Sequence, residues 1–451
     1  MKILLISPPV FMPTIMPYSL AKLYSDLKSK LNEEIIAIDL NAKFHKLQFK
    51  NYYEKLNQIK QTTHTNQQYL LLLEEFINHT RTIYPSISKN VRNNFKPLQF
   101  NNILNQITKE KPDIVGISLT YNSQIFYTKP LIEELNKLNI KVILGGSADY
   151  SKIMKDTLTL PNSTSLIEYL IKNGAKPKEQ NNQNTTDFSQ FNNQDYFSKE
   201  TIHPLRTSIS CPYKQCTFCT HHLNQQYKQL DLKDIEQTII NNNIKKAFLI
   251  DDDIPINRLK QIAIIMKKHQ VKWWCQLRPI KNLIPHLKEL NESGLISIAW
   301  GLESANQRTL DLMHKGTNTN DIKKVLKASK DANIINMTYI MLGFPSQTKE
   351  EIETTIQFLE ENKENIDIIS PSIFGLQQGS KIYNNPKQFN IKEITHKKRT
   401  LLSDNINYEP TTGLTNNQTK EIKKKNQHKI NNINSYNKVL ARCKEQVLNL
   451  N

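Results

Sequence analysis

No run of about 18 apolar residues occurs anywhere in the 451 residues, which speaks against a membrane-spanning helix. The start, MKILLISPPVFMP, carries one lysine and a short apolar run cut by Pro8 and Pro9. It reads as a first buried strand rather than a signal peptide, so a cytoplasmic protein is expected. Cysteine is scarce. There are five, an odd number, and three of them crowd into residues 211–219. That crowding argues against a disulfide framework and for a metal or redox site in a reducing compartment. Acidic residues are also short, 42 against 60 Lys and Arg, for a formal net charge of +18. Such a surface could attract nucleic acid or an acidic peptide, but a Lys- and Asn-rich composition explains it equally, and charge does not decide fold. The length suits two or three domains with real cores.

Apolar runs at 3–7, 35–40, 113–119 and 141–146 read as strands, with helices near 18–31 and 124–138. Residues 41–108 have a polar, largely helical pattern without readable chemistry. Alternating strands and helices imply a parallel sheet covered on both faces, with ligands at the carboxyl ends of its strands. Residues 166–203, rich in Asn, Gln, Lys and Thr, read as a polar linker. The alternation then restarts. Strands are expected at 206–210, 246–250, 272–277, 296–302, 336–342 and 367–373, and helices at 231–241, 256–268, 281–293, 320–333 and 348–362. That count fits a partial barrel with its chemistry on the loops after the strands. Residues 391–451 read as a basic helical extension, most simply a solvated charged helix.

The segment S-C-P-Y-K-Q-C-T-F-C-T-H-H places Cys211, Cys216 and Cys219 in a C-x4-C-x2-C spacing directly after the first of these later strands. Three thiolates on one loop can hold three irons of a cubane and leave the fourth iron open. They can also form a structural Cys3His zinc site with His221 or His222. The spacing alone leaves both open, although no second CxxC or HxxxH partner exists.

This loop resembles that of the radical S-adenosylmethionine superfamily, in which an aromatic residue, here Phe218, precedes the last cysteine. The first gap is one residue longer than the common form. It resembles cobalamin-linked members, including those of ribosomal-peptide maturation. The stretch F-L-I-D-D-D, the block W-G-L-E-S-A-N-Q-R-T-L-D-L-M-H-K-G and the block M-L-G-F-P-S-Q-T-K-E-E resemble later family motifs in the same order. The resemblance implies a 4Fe–4S cluster on the three cysteines. It makes Asp251, Asp252, Asp253, Glu303 and Ser304 candidate S-adenosylmethionine contacts. Arg278, after the WWCQL strand, could pair with the cosubstrate carboxylate or form a salt bridge at the barrel mouth. Cys275, Trp273 and Trp274 read as core, and Cys443 as inert.

Residues 1–165 resemble the cobalamin-binding domain that precedes the barrel in one branch of that superfamily. The resemblance rests on S-P-P, D-L-N, V-G-I-S-L-T-Y and L-G-G-S. It implies that Ser118, Gly145 and Gly146 face the corrin, where glycine allows close approach to the backbone. The D-x-H-x-x-G signature is absent, since the exit of the first strand reads P-P-V-F-M-P.

The expected fold is α/β. A Rossmann-like, cobalamin-binding-type domain (1–165) precedes the linker (166–203), a partial (β/α)6 radical barrel (204–390) and the tail (391–451). The expected function is reductive cleavage of S-adenosylmethionine to functionalise an unactivated carbon, including cobalamin-dependent methyl transfer, on a peptide or small metabolite. An electron donor such as flavodoxin or ferredoxin would serve it, and no nucleic-acid or membrane partner is expected. The rivals are a cobalamin-independent radical oxidation or cross-linking enzyme and a zinc-stabilised nucleic-acid-binding protein.

Overall fold

The computed structural model describes residues 1–61, 66–153, 157–179, 184–223 and 225–450. The chain divides into two compact units. The first is Met1–Pro204 with Gln237–Asn243 and Lys398–Ser403, and the second is the remainder. Among the described residues no helix is long and apolar enough to cross a membrane.

The first unit is built on β1 (Lys2–Ser7), β2 (Glu34–Asp39), β3 (Ile114–Ser118), β4 (Lys141–Gly145) and β5 (Leu158–Thr159). They form one sheet in the order β2-β1-β3-β4-β5, and its paired strands run parallel. Strand β3, IVGIS, is buried at every position, as a strand covered on both faces must be. The order reverses between β1 and β3, which opens a crevice at their carboxyl ends. The crossover from β2 to β3 is helical: Leu40–Gln48, Lys50–Gln61, Asn66–Arg92 and Phe100–Thr108. Asp39 starts it by accepting the backbone N–H groups of Asn41 and Ala42, an N-cap that satisfies orphan donors.

The linker expectation is corrected here. Ser163–Lys172 is a helix that buries Leu166 and Leu170. Phe188, Phe191 and Tyr196 join the core of the sheet, and Phe197 stacks on Phe76 at 3.9 Å between centroids. Aromatic anchors, each burying a large apolar area, pin an otherwise polar segment. Its residues 180–183 lie outside the described residues.

The second sheet holds β6 (His203–Leu205), β9 (Lys246–Leu249), β10 (Lys272–Leu277), β11 (Leu295–Glu303), β12 (Ile335–Leu342) and β13 (Ile368–Ile373). Its order is β13-β12-β11-β10-β9-β6, and β9 to β13 pair in parallel. A sheet that adds each strand beside the last, with helices between, is an open arc of a β/α barrel. Trp273 and Trp300 are fully buried. Their indole N–H groups donate to the Ser293 carbonyl at 3.2 Å and to Asn336 Oδ1 at 2.8 Å.

Two expectations change in this unit. The stretch 206–210 is not a strand of the large sheet. The short β7 (Ser208–Ile209) instead pairs antiparallel with β8 (Lys228–Gln229). The tail is not purely helical. An antiparallel hairpin, β14 (Ile391–Lys397) with β15 (Asn405–Pro410), precedes the helix Asn416–Ile433. After that helix, Val447 and Leu448 are buried in a final 3-10 turn.

Candidate active site at the carboxyl end of the second sheet

Cys211, Cys216 and Cys219 are free and half-buried. The loop reaches this position through left-handed residues, Ser210 at φ +65 and Lys214 at φ +57. Thr217 fastens it. Its backbone N–H donates to the Met313 carbonyl at 3.0 Å, its hydroxyl to the Leu312 carbonyl at 3.0 Å, and its carbonyl accepts the Ile382 N–H at 3.1 Å. Phe218 packs against a core of Met313, Phe344, Phe374 and Ile382. It therefore serves as an apolar anchor for the loop. Tyr213 donates its hydroxyl to the His314 carbonyl at 2.9 Å, and the Arg278 guanidinium lies 3.6 Å above its ring. Gly316 makes room for that tyrosine, since a Cβ there would stand 2.2 Å from the Tyr213 hydroxyl.

Burial pushes the Cys216 thiol up to about 11, with Lys315 pulling the other way and Cys219 and Cys211 pushing it further. Burial raises Cys219 as well. The three sulfurs thus sense one another, and two of them keep their protons at neutral pH until a metal replaces them. Among the described residues no three His, Cys, Asp or Glu side chains converge on a single metal ion. His221 is engaged elsewhere, with Nδ1 2.7 Å from Asp252 Oδ1, a contact that raises the imidazole. Among the described residues neither His221 nor His222 completes a Cys3His zinc set with the cysteines. A cubane asks for something else, one thiolate on each of three irons, and the donor set of the loop fits that demand.

The three aspartates after β9 have three different jobs. Asp251 is only 2% exposed. It accepts the Thr207 N–H at 3.0 Å, the Thr207 hydroxyl at 2.9 Å and the Ser208 hydroxyl at 2.7 Å. Its carboxylate is spent on the segment that leads into the cysteine loop. Asp252 holds His221. Asp253 pairs with Arg278, Nε to Oδ2 at 3.0 Å.

Glu303 ends β11 in a left-handed conformation, φ +63. Its Oε1 lies 3.0 Å from Lys315 Nζ, and Lys315 is 7% exposed. Burial opposes the lysine charge, but Glu303, Cys216 and Asp253 outweigh it and lift the ammonium above its ordinary value. Gly301 keeps the space open, because a Cβ there would meet Lys315 Nζ at 2.8 Å. Ser304, also a candidate contact, is fully buried. Its hydroxyl meets Thr355 Oγ1 at 3.2 Å and accepts the Asn306 N–H at 3.1 Å. It shapes the turn after β11. After β12, Gln347 Oε1 accepts the Gly343 N–H at 2.7 Å.

The structure thus brings together the cysteines, Asp252, Asp253, Arg278 and Glu303. It assigns Asp251 and Ser304 to holding backbone. Lys315 and Tyr213 went unremarked in the sequence. Their available signal was the glycines they require, Gly301 and Gly316.

In the first unit, Ser118 donates to Ser19 Oγ at 3.3 Å. Gly146 adopts φ +118, and a Cβ there would lie 2.0 Å from the Leu119 carbonyl oxygen. A Cβ on Gly145 would lie 3.0 Å from the Leu160 carbonyl. These glycines are required by the domain's own backbone, and that requirement neither asks for nor refuses a corrin. Tyr121, Gly146 and Ser147 are exposed at this edge, and the Phe11 and Tyr121 rings lie 5.0 Å apart. Such an edge, part aromatic and part backbone, fits a flat macrocycle.

Residues 205–359 match the family model described as Radical SAM superfamily. An uncharacterized methyltransferase of Pyrococcus horikoshii is 27% identical over 169 residues, 34% of this chain and 36% of that protein. The anaerobic magnesium-protoporphyrin IX monomethyl ester cyclase of Cereibacter sphaeroides is 28% identical over 158 residues, 32% of this chain and 26% of that protein. Most of either relative's length is unmatched. Among solved structures, the radical S-adenosylmethionine methyltransferase TsrM of Kitasatospora setae, with tryptophan substrate and a SAM analog, aligns at TM-score 0.62 and 11% identity, covering 96% of this chain and 89% of that one. The cobalamin-dependent S-adenosylmethionine radical enzyme OxsB aligns at TM-score 0.57 and 14% identity, covering 86% and 56%. At these identities the likeness is one of fold.

Proposed function

We propose, for a chain whose residues 205–359 belong to the radical SAM superfamily, an enzyme that cleaves S-adenosylmethionine on a 4Fe–4S cluster held by Cys211, Cys216 and Cys219. The observation that carries this reading is the gathering of three free, half-buried thiols beside the Glu303–Lys315 and Asp253–Arg278 pairs. When bound, such a cluster supplies one electron to the sulfonium, and the broken carbon–sulfur bond yields an adenosyl radical able to take hydrogen from an unactivated carbon. The residues of this chain bind and orient. Cys216 and Cys219 give up their protons on loading. Glu303 offers a carboxylate to the methionyl ammonium. Arg278, steadied by Asp253 and Tyr213, presents a guanidinium to a carboxylate. Phe218 and its apolar neighbours keep water from the loop.

The first unit holds cobalamin in this proposal, at the exposed edge formed by the exits of β3 and β4. When bound, cobalamin supplies the methyl group for transfer. The substrate is a peptide or a small metabolite, and a flavodoxin- or ferredoxin-class protein supplies electrons.

The test is anaerobic reconstitution with iron and sulfide. Brown protein with a broad band at roughly 400 nm is expected, with 5′-deoxyadenosine released under reduction and both lost in Cys216→Ala. Protein that stays colourless refutes the cluster. Failure to retain a corrin through gel filtration refutes the methyl-transfer half and leaves a radical oxidation or cross-linking enzyme.

A further inference from the structure

Lys315 stands next to last in the block that begins at Trp300, and it is a buried cation, 7% exposed, among the charges of this site. We propose that Lys315 is a positioning residue with two tasks: it fixes the Glu303 carboxylate, and its cation sets the reduction potential of the cluster held at Cys216. The proposal rests on the reading that the three cysteines hold such a cluster.

Three observations carry it. Lys315 Nζ is 3.0 Å from Glu303 Oε1 with Lys315 buried and the Glu303 side chain 12% exposed, so the pair is held by its surroundings rather than by chance contact. Gly301 and Gly316 flank it. A Cβ on the first would collide with the ammonium, and a Cβ on the second with the Tyr213 ring that braces the cysteine loop. Finally, Lys315 Nζ lies 6.0 Å from the centroid of the Phe218 ring, and Phe218 immediately precedes Cys219 in the cysteine loop.

The sign follows from charge. Three thiolates on a cubane give a net negative assembly, and reduction makes it more negative. A buried cation beside the cysteine loop favours the reduced form. Net charge is one of the levers on the potential of such clusters, and the burial of Lys315 limits screening by solvent. Glu303 pulls in the opposite direction, from the weaker position.

The experiment is an EPR-monitored redox titration of reconstituted protein, with no substrate and no turnover. Lys315→Met is expected to lower the midpoint. A unit charge within about 10 Å changes such an equilibrium by on the order of tenfold, which for one electron is about 59 mV. Glu303→Gln is expected to raise the midpoint by less. The double variant should fall between the singles, just below wild type, and Lys315→Arg should stay near wild type. A purely structural lysine would not give opposite signs for the two singles. If Lys315→Met fails to load iron, the neutral but polar Lys315→Gln takes its place, and a midpoint that is not lowered in it overturns the proposal. Midpoints that do not move, or that move the same way in both singles, overturn the proposal. Wild-type protein that assembles no cluster refutes the underlying function instead.

Discussion

Asp251→Ala separates two roles for the acidic stretch after β9. The carboxylate receives one backbone N–H and two hydroxyls, and it is 2% exposed. Removing it strands the Thr207 N–H in a dry site, at about 1–3 kcal/mol, and loses two hydroxyl bonds worth about 0.5–1.5 kcal/mol each. Arg258, only 3% exposed, donates to the Thr207 and Leu230 carbonyls and loses a nearby compensating charge. The expected total is about 3–5 kcal/mol of stability. Asp251→Asn should cost less, because one oxygen remains. Trp273, Trp274 and Trp300, the only tryptophans, all lie in the second unit. Their fluorescence in a urea titration therefore reads the right part of the molecule. Iron loading should fall in parallel, because Thr207 and Ser208 lead directly into the cysteine loop. A variant that unfolds like wild type but no longer binds S-adenosylmethionine would refute this reasoning and make Asp251 a cosubstrate ligand.

Gly316→Ala is expected to displace Tyr213, since a Cβ would stand 2.2 Å from its hydroxyl at φ +66. The strain of about 1–3 kcal/mol should appear as reduced iron content at unchanged far-UV circular dichroism, and full iron content would count against it. In the first unit, burial holds the His45 imidazole down to about 3 and His203 to about 4. Their contribution to stability is complete above the unfolded value near 6.5 and drains as pH falls toward the folded values. Asp39, pushed up to about 7 by burial, opposes them: its contribution is complete below about 4 and is lost as pH rises through 7. Asp39→Asn removes that opposition. Acidifying from about pH 7 to 5 should then cost the first unit about 2 kcal/mol per histidine. Amide exchange in peptide 34–49 should quicken on acidification relative to wild type, and an equal response in both proteins would count against the assignment.

Much of the scaffold was legible because its elements obey simple periods. The helix at 256–268 and the strand at 272–277 stand where the apolar pattern puts them. The misreadings share a cause: contacts distant in sequence. Ser208 leaves the large sheet because Asp251, 43 residues on, holds it. Phe197 belongs to the core only because Phe76 is there to stack on it. The β14–β15 hairpin is mostly exposed, and the short alternation of Asn405, Ile406, Asn407 and Tyr408 in β15, whose apolar members pack on the Phe344–Phe374 cluster, goes unread beside the basic residues around it. The cysteines announced themselves through spacing. Ser304 looked like part of a binding motif, whereas its hydroxyl is consumed by the turn that the motif itself makes.

The charges around the cysteine loop are balanced at rest. Asp252 has His221, Asp253 has Arg278 and Glu303 has Lys315. A zwitterionic cosubstrate therefore meets occupied partners, not bare charges. In the proposed binding mode its ammonium would gain Glu303 by sharing it with Lys315, and its carboxylate would gain Arg278 by sharing it with Asp253. Exchange of this kind keeps the buried charges paired at each stage, and pairing matters because a buried charge that loses its partner costs several kcal/mol. It also explains why Lys315 must be enclosed. A lysine free to swing into solvent could leave the site when the ammonium arrives, whereas one that is 7% exposed and 6.0 Å from the Phe218 ring stays beside the cysteine loop. On the proposed function, the confinement that orients Glu303 before binding would be the same confinement that keeps a cation beside the cluster afterwards.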